Sequence, residues 1–117
     1  MHLNHVDLQV EDVQATASFF ERFFAFTHTS NRGSPAIAIL RGDDGFSLVL
    51  QKRADGEKYP AGFHVGFIVD NEATVHRMHD ELARSGARVS DVKKNGRGTM
   101  IYCQHDGFLV EVSCRPI

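Results

Sequence analysis

At 117 residues, 42% of them hydrophobic and 24% charged, the chain has room for one compact domain or for two half-sized units that share a core. A formal net charge of −2 excludes a nucleic acid or an anionic membrane as a partner held by bulk electrostatics. The longest apolar runs are strand-length, which excludes a transmembrane helix, and Met1-His2-Leu3-Asn4-His5 carries neither the basic nor the apolar region of a signal peptide.

The first element is a strand, because Val6, Leu8 and Val10 alternate with His5, Asp7 and Gln9 at the period of a half-buried sheet. Asp12 can cap a following helix, which carries Phe19, Phe20, Phe23 and Phe24 as core and ends near Phe26. Strands are expected near 27–30, 36–41 and 46–51, the last two joined by the turn Arg41-Gly42-Asp43-Asp44-Gly45. The stretch from Lys52 to Gly62 is charged, contains Pro60, and reads as a linker. A second strand of the first kind follows, with Phe63, Val65, Phe67 and Val69 opposite His64, Gly66 and Ile68. Asn71 can cap a second helix in which Val75, Met78 and Leu82 keep helical spacing up to Gly86. Strands near 88–90, 99–103 and 108–113 close the chain, with His105-Asp106-Gly107 as a hairpin turn.

These elements repeat. His5-Val6-Asp7-Leu8-Gln9-Val10 runs parallel to His64-Val65-Gly66-Phe67-Ile68-Val69 at an offset of 59 residues. Gly45-Phe46-Ser47-Leu48-Val49-Leu50-Gln51 mirrors Gly107-Phe108-Leu109-Val110-Glu111-Val112-Ser113 at an offset of 62. Two separated matches in one order mark a duplicated module. The expected fold is α+β: two βαβββ modules, 1–54 and 62–117 with linker 55–61, forming a concave mixed sheet as one domain over 1–117.

The alternation also sorts the chemistry. Helices cover the apolar face of each strand, which leaves His5, His64 and Glu111 on the polar, concave side. Two imidazoles and one carboxylate suit a divalent ion such as Fe, Mn, Ni, Co or Zn, with positions open for water or substrate. Tyr102, just before the turn into the Glu111 strand, can donate to a bound substrate oxygen. Arg97, in the basic loop with Lys93 and Lys94, can reach an anionic substrate group. His76 and His79 read as solvated helix surface, and His2, His28 and His105 as structural, with His105 near the cleft rim. Cys103 and Cys114 read as buried free thiols in a reducing, cytoplasmic setting.

At these residues the whole chain, from Leu3-Asn4-His5-Val6 to Asp106-Gly107-Phe108-Leu109-Val110-Glu111-Val112, resembles the vicinal oxygen chelate superfamily. That group includes glyoxalase I, extradiol dioxygenases, fosfomycin-resistance transferases and bleomycin-resistance proteins. The resemblance implies paired βαβββ modules and a metal near the cleft centre, with His5, His64 and Glu111 on three ligand positions. The fourth position falls on Val49, where glyoxalase I enzymes carry a carboxylate that also shuttles protons, so glyoxalase I is the less favoured chemistry. Gln51, on the same strand face, is a polar candidate for part of that role. The turn before the last strand is one residue shorter than the Asp-Pro-Asp-Gly of many relatives, and Asn95 stands about where the extradiol pattern places a histidine.

Two functions follow as expectations. One is a metal-dependent lyase, transferase or dioxygenase acting on a small substrate. The other is a bleomycin-resistance-like protein that sequesters a small aromatic molecule without catalysis. Relatives of this length commonly complete their sites across a two-fold axis, so a homodimer is expected in either case.

Overall fold

The computed structural model describes residues 1–116; Ile117, the end of the second module drawn above, lies outside the described residues. The chain divides into two compact units, Met1–Glu57 and Lys58–Ile117. Both are mixed sheets backed by one helix, so the architecture is the expected α+β. Among the described residues no helix is long and apolar enough to cross a membrane.

Unit 1 runs β1 (His5–Val10), α1 (Val13–Phe24), β2 (Thr27–His28), β3 (Ile37–Arg41) and β4 (Ser47–Lys52). Its sheet has the order β1-β4-β3-β2, with β1 parallel to β4 and the remaining pairs antiparallel. The parallel pair requires a crossover, and α1 with the β2–β3 hairpin supplies it. Asp12 starts the helix, its carboxylate accepting from the Ala15 amide at 3.0 Å. The helix stops two residues short of Phe26 because Ala25 takes a left-handed conformation at φ 58°. Leu8, Val10, Phe20, Leu40 and Leu50 form a core with at most 1% of each exposed. Phe19 joins them, whereas Phe23 and Phe24 are only half-buried against neighbouring rings. The turn after β3 is a short 3-10 turn, Asp43–Gly45, with Asp44 left-handed.

Unit 2 runs β5 (His64–Ile68), α2 (Glu72–Arg84), β6 (Arg88–Val89), β7 (Lys93–Asn95), β8 (Gly98–His105) and β9 (Phe108–Cys114). The order is β5-β9-β8-β6, with β5 parallel to β9 and with β7 sharing the β6 edge of β8. Asn71 caps α2 through the Thr74 amide at 2.8 Å. Val75, Met78 and Leu82 of α2 are buried, as are Ile101, Cys103, Val110 and Val112 of the two strands it packs on.

β7 departs from the sequence reading. The basic segment expected as a loop pairs with the start of β8, Asn95 opposite Gly98. All three β7 side chains are exposed, so no apolar alternation marks the strand. Its turn depends on Gly98, at φ 125°, where a Cβ would fall 1.9 Å from the Cys114 carbonyl oxygen. Unit 2 therefore has one strand more than the βαβββ pattern. β8 also extends beyond 103 to His105, and Asp106 and Gly107, both with positive φ, make the tight hairpin to β9.

Candidate functional site

The polar face of unit 2 is built by register. β5 sets Gly66 beside Glu111 on β9, and β8 sets Tyr102 on the other flank of the same residue. β9 alternates strictly: Phe108, Val110 and Val112 are buried toward α2, while Leu109, Glu111 and Ser113 stand half-buried on the opposite face. The Tyr102 hydroxyl donates to Glu111 Oε2 at 2.6 Å. The other carboxylate oxygen lies above the glycine, where a Cβ on Gly66 would come 3.2 Å from Glu111 Oε1. Gly66 thus clears the space into which the carboxylate leans.

His64 shares this face, two residues before Gly66. Its Nδ1 lies 2.9 Å from the Gly62 carbonyl oxygen. A carbonyl only accepts, so Nδ1 carries the proton and Nε2 keeps its lone pair. The imidazole meets the Tyr102 ring edge-on, centroids 5.8 Å apart and planes at 87°. The Tyr102 phenol is held above its ordinary value first by the hydrogen bond to Glu111, then by burial and by the Glu111 charge, with Arg97 opposing. Arg97, Glu111, Gly66, Met100, Ser113 and Arg115 line an open depression of about 300 Å³. Asn95, placed near the extradiol histidine position, instead accepts the Arg97 amide at 2.8 Å and shapes the β7–β8 turn.

Unit 1 presents a second polar cluster. His5 Nδ1 lies 2.8 Å from Asn4 Oδ1, which selects the same tautomer as in His64 and leaves Nε2 its lone pair. Asp7, beside Val49 in the β1–β4 register, accepts one amide hydrogen bond on each oxygen, from Gln9 at 2.7 Å and from Gln51 at 2.5 Å. Gln51, expected to take part of a base's role, is a donor that orients Asp7.

Unit 2 therefore brings together His64, Glu111, Tyr102 and Arg97, and unit 1 carries His5 and Gln51. Sequence reasoning missed Asp7, Gly66 and Arg115. For the first two a signal existed, since the repeat aligns Asp7 with Gly66 and Val49 with Glu111. His76 is exposed and His79 is hydrogen-bonded to Asp80 at 3.0 Å, while His105 packs on Phe108.

Among the described residues no three His, Cys, Asp or Glu side chains stand close enough to form a ready cation cage. The donors nevertheless fit a divalent ion in kind. Each histidine has its Nδ1 proton anchored and its Nε2 lone pair available, the arrangement ligating imidazoles ordinarily have. Glu111 has one oxygen fixed by a neutral donor and the other over a position without a side chain.

Residues 2–112 match the model of the Glyoxalase/Bleomycin resistance protein/Dioxygenase superfamily. A possible glyoxalase from Bacillus cereus is similar at 36% identity and a TM-score of 0.87, over 97% of this chain and 99% of that one. A lactoylglutathione lyase from Agrobacterium tumefaciens shares the fold at 17% identity and a TM-score of 0.77, over 97% and 92% of the two chains. The genomically encoded fosfomycin resistance protein FosX from Listeria monocytogenes does so at 17% identity and 0.79, over 100% and 95%. Comparison with curated proteins gives no match.

Proposed function

The chain belongs to the Glyoxalase/Bleomycin resistance protein/Dioxygenase superfamily, and from that premise we propose that it is a divalent-cation-dependent enzyme acting on the oxygens of a small substrate. The observation that carries this reading is the Glu111 carboxylate, pinned by Tyr102 and leaning over Gly66 on the sheet face that also bears His64. His64, Glu111 and His5 are the proposed ligands, and the ion is one of Fe, Mn, Ni, Co or Zn. When bound, it supplies Lewis acidity toward substrate oxygens in lyase, transferase or dioxygenase chemistry.

The chain's own residues have separate tasks in this proposal. Tyr102, its phenol held above the ordinary range by the hydrogen bond to Glu111 and by burial, serves in this proposal as a hydrogen-bond donor rather than a base. Arg97 offers a planar guanidinium to an anionic group in the depression it lines beside Glu111. Val49 leaves β4 without the carboxylate typical of glyoxalase I enzymes, which favours the other chemistries.

Elemental analysis of protein purified without chelator is the test. Stoichiometric transition metal, lost in His64→Ala and in Glu111→Gln, supports the reading. Protein free of metal that takes none up on titration overturns it.

We also propose a homodimer, since β1 and β2 end one sheet and β5 and β6 the other, and sheet edges are pairing sites. Light scattering giving the mass of a single chain at working concentration counts against it. A cytoplasmic location accords with the two free, buried cysteines.

One observation favours a second reading, a protein that sequesters a small aromatic molecule. Tyr59 and Phe63 stack at 4.4 Å, and with Phe108 they line a depression of about 500 Å³ on unit 2. Tight binding of a planar aromatic ligand by metal-stripped protein, unaffected by Glu111→Gln, selects this alternative.

A further inference from the structure

The end of unit 2 marked by the hairpin between β8 and β9 carries a second group of side chains. Tyr59 and Phe63 lie four residues apart across Pro60 and stack face to face, centroids 4.4 Å apart and planes at 8°. Phe108 meets Tyr59 edge-on at 5.9 Å. These rings and Arg88 line the open depression of about 500 Å³, a volume in the range of sites that take small ligands. Gly66, Arg97 and Glu111 line a different one.

The rings are held in place by backbone bonds of unit 2 itself. The Phe63 amide donates to the Pro60 carbonyl at 3.1 Å, and the Leu109 amide donates to the Phe63 carbonyl at 3.1 Å, which fastens the segment to β9. Gly62 allows this course at φ 88°, and the space where its Cβ would stand is open. Phe108 is 3% exposed and belongs to the core, whereas Phe63 keeps 36% of its surface in water. A part-wet ring beside a stacked partner has apolar area to gain from a flat ligand.

The charge available at the depression has one sign. Arg88, the first residue of β6, is exposed and stands opposite Gln104, a neutral residue, in the β6–β8 register. Among the described residues its guanidinium has no ion-pair or hydrogen-bond partner. Asp106 also lines the depression, but it lies in the hairpin turn and has interactions of its own, and His105 packs on Phe108. A guanidinium with its donors unspent attracts an anion, and its planar fork matches a carboxylate.

We propose that this depression binds a planar aromatic molecule bearing a carboxylate, with Arg88 receiving the anion and Tyr59 and Phe63 the ring. This rests on the aromatic depression serving as a ligand site, the second reading above. The sign of the ligand's charge and its recognition by Arg88 go beyond that reading, and the cation site plays no part.

The experiment is titration of the full chain, stripped of metal, with three probes of one shape: 2-naphthoate, neutral 2-naphthamide and cationic 2-naphthylmethylammonium. The chain has no tryptophan, so naphthalene fluorescence reads binding against a weak protein background. 2-Naphthoate is expected to bind about tenfold more tightly than 2-naphthamide, the worth of one hydrogen bond to a charged group, and the cation least tightly. Arg88→Gln is expected to bring naphthoate down to the affinity of the amide and to leave the amide unchanged, with circular dichroism confirming the fold. Phe63→Leu, which keeps apolar bulk, is expected to weaken naphthoate and naphthamide alike, and Glu111→Gln to bind naphthoate as the wild type does. Equal affinity for naphthoate and naphthamide, a preference for the cation, or a naphthoate preference that survives Arg88→Gln overturns the inference and leaves an aromatic site in place. Naphthoate binding lost in Glu111→Gln also overturns it, because the probe then sits in the other depression. If no probe binds, the aromatic reading falls with it, and a dimer that Phe63→Leu dissociates would make the depression a contact between copies.

Discussion

Gly66→Ala separates what the site needs from what the fold needs. Gly66 lies in β5 and is not among the glycines with positive φ, so alanine fits its backbone. Removing a glycine from the unfolded ensemble stabilises by about 0.4–1 kcal/mol. Against this, the new Cβ stands 3.2 Å from Glu111 Oε1 and 3.6 Å from Glu111 Cβ, tight enough that the carboxylate must shift. It cannot shift freely, because Oε2 is tethered to the Tyr102 hydroxyl at 2.6 Å. Losing a hydrogen bond to a charged group costs roughly 1.5 kcal/mol at the lower end of its range, the end that suits a half-exposed pair. The two effects cancel to within about 1 kcal/mol, which moves the melting temperature of a chain this size by only a few degrees. Cation affinity has no such compensation and is expected to fall by about 10–100-fold, as it does when a group supporting a ligand is disturbed. Scanning calorimetry and cobalt titration on one preparation read both quantities. Wild-type affinity together with an unchanged Tyr102 titration would show that Gly66 clears no space that matters.

Tyr102 is expected to ionise at higher pH than an ordinary tyrosine, and Glu111→Gln should bring its phenolate absorbance transition back toward the usual 10.0. Because the folded value is raised, the stability this group contributes is complete below the ordinary phenol range and is lost as pH rises through the folded value, which denaturation above pH 10.0 checks. Phe20→Ala removes the largest fully buried side chain and is expected to cost about 3–5 kcal/mol by urea unfolding. Cys103 is buried, its thiol pushed up by desolvation to about 11. Its reaction with a disulfide reagent at pH near 8 should be slow until denaturant is added, and fast labelling of the native protein would contradict its burial.

Most of the architecture was legible in the sequence because the strongest signals were periodic. The alternation in His5–Val10 and Phe108–Cys114 assigned a buried and an open face to each strand, and both assignments hold wherever a helix covers one side. The caps at Asp12 and Asn71 were equally plain, since a side-chain acceptor before an apolar-periodic run has few other uses. What escaped had no apolar pattern to read. β7 is three exposed residues held by backbone pairing and a glycine turn, and Ala25 ends α1 through a left-handed conformation that alanine does not advertise. The extra residues of β8 were hidden for a related reason, because Gln104 and His105 are polar and alternate with nothing apolar beyond Cys103.

In the candidate site the alternation placed His64 and Glu111 on one face, whereas the pairing of Asp7 with Val49 and of Gly66 with Glu111 emerged only from the sheet registers. Reading the repeat column by column makes Val49 the loss of a carboxylate, because Val49 aligns with Glu111. Sheet geometry gives a different account. In unit 2 the rung carries its carboxylate on the last strand, and in unit 1 the corresponding rung carries one on the first. Glu111 reaches because Gly66 is bare, and Asp7 rises from its own Cβ beside a residue that makes no polar claim on the site. Unit 1 thus differs from unit 2 in which strand carries the charge rather than in whether a charge is present, and the length of the side chain changes with the strand.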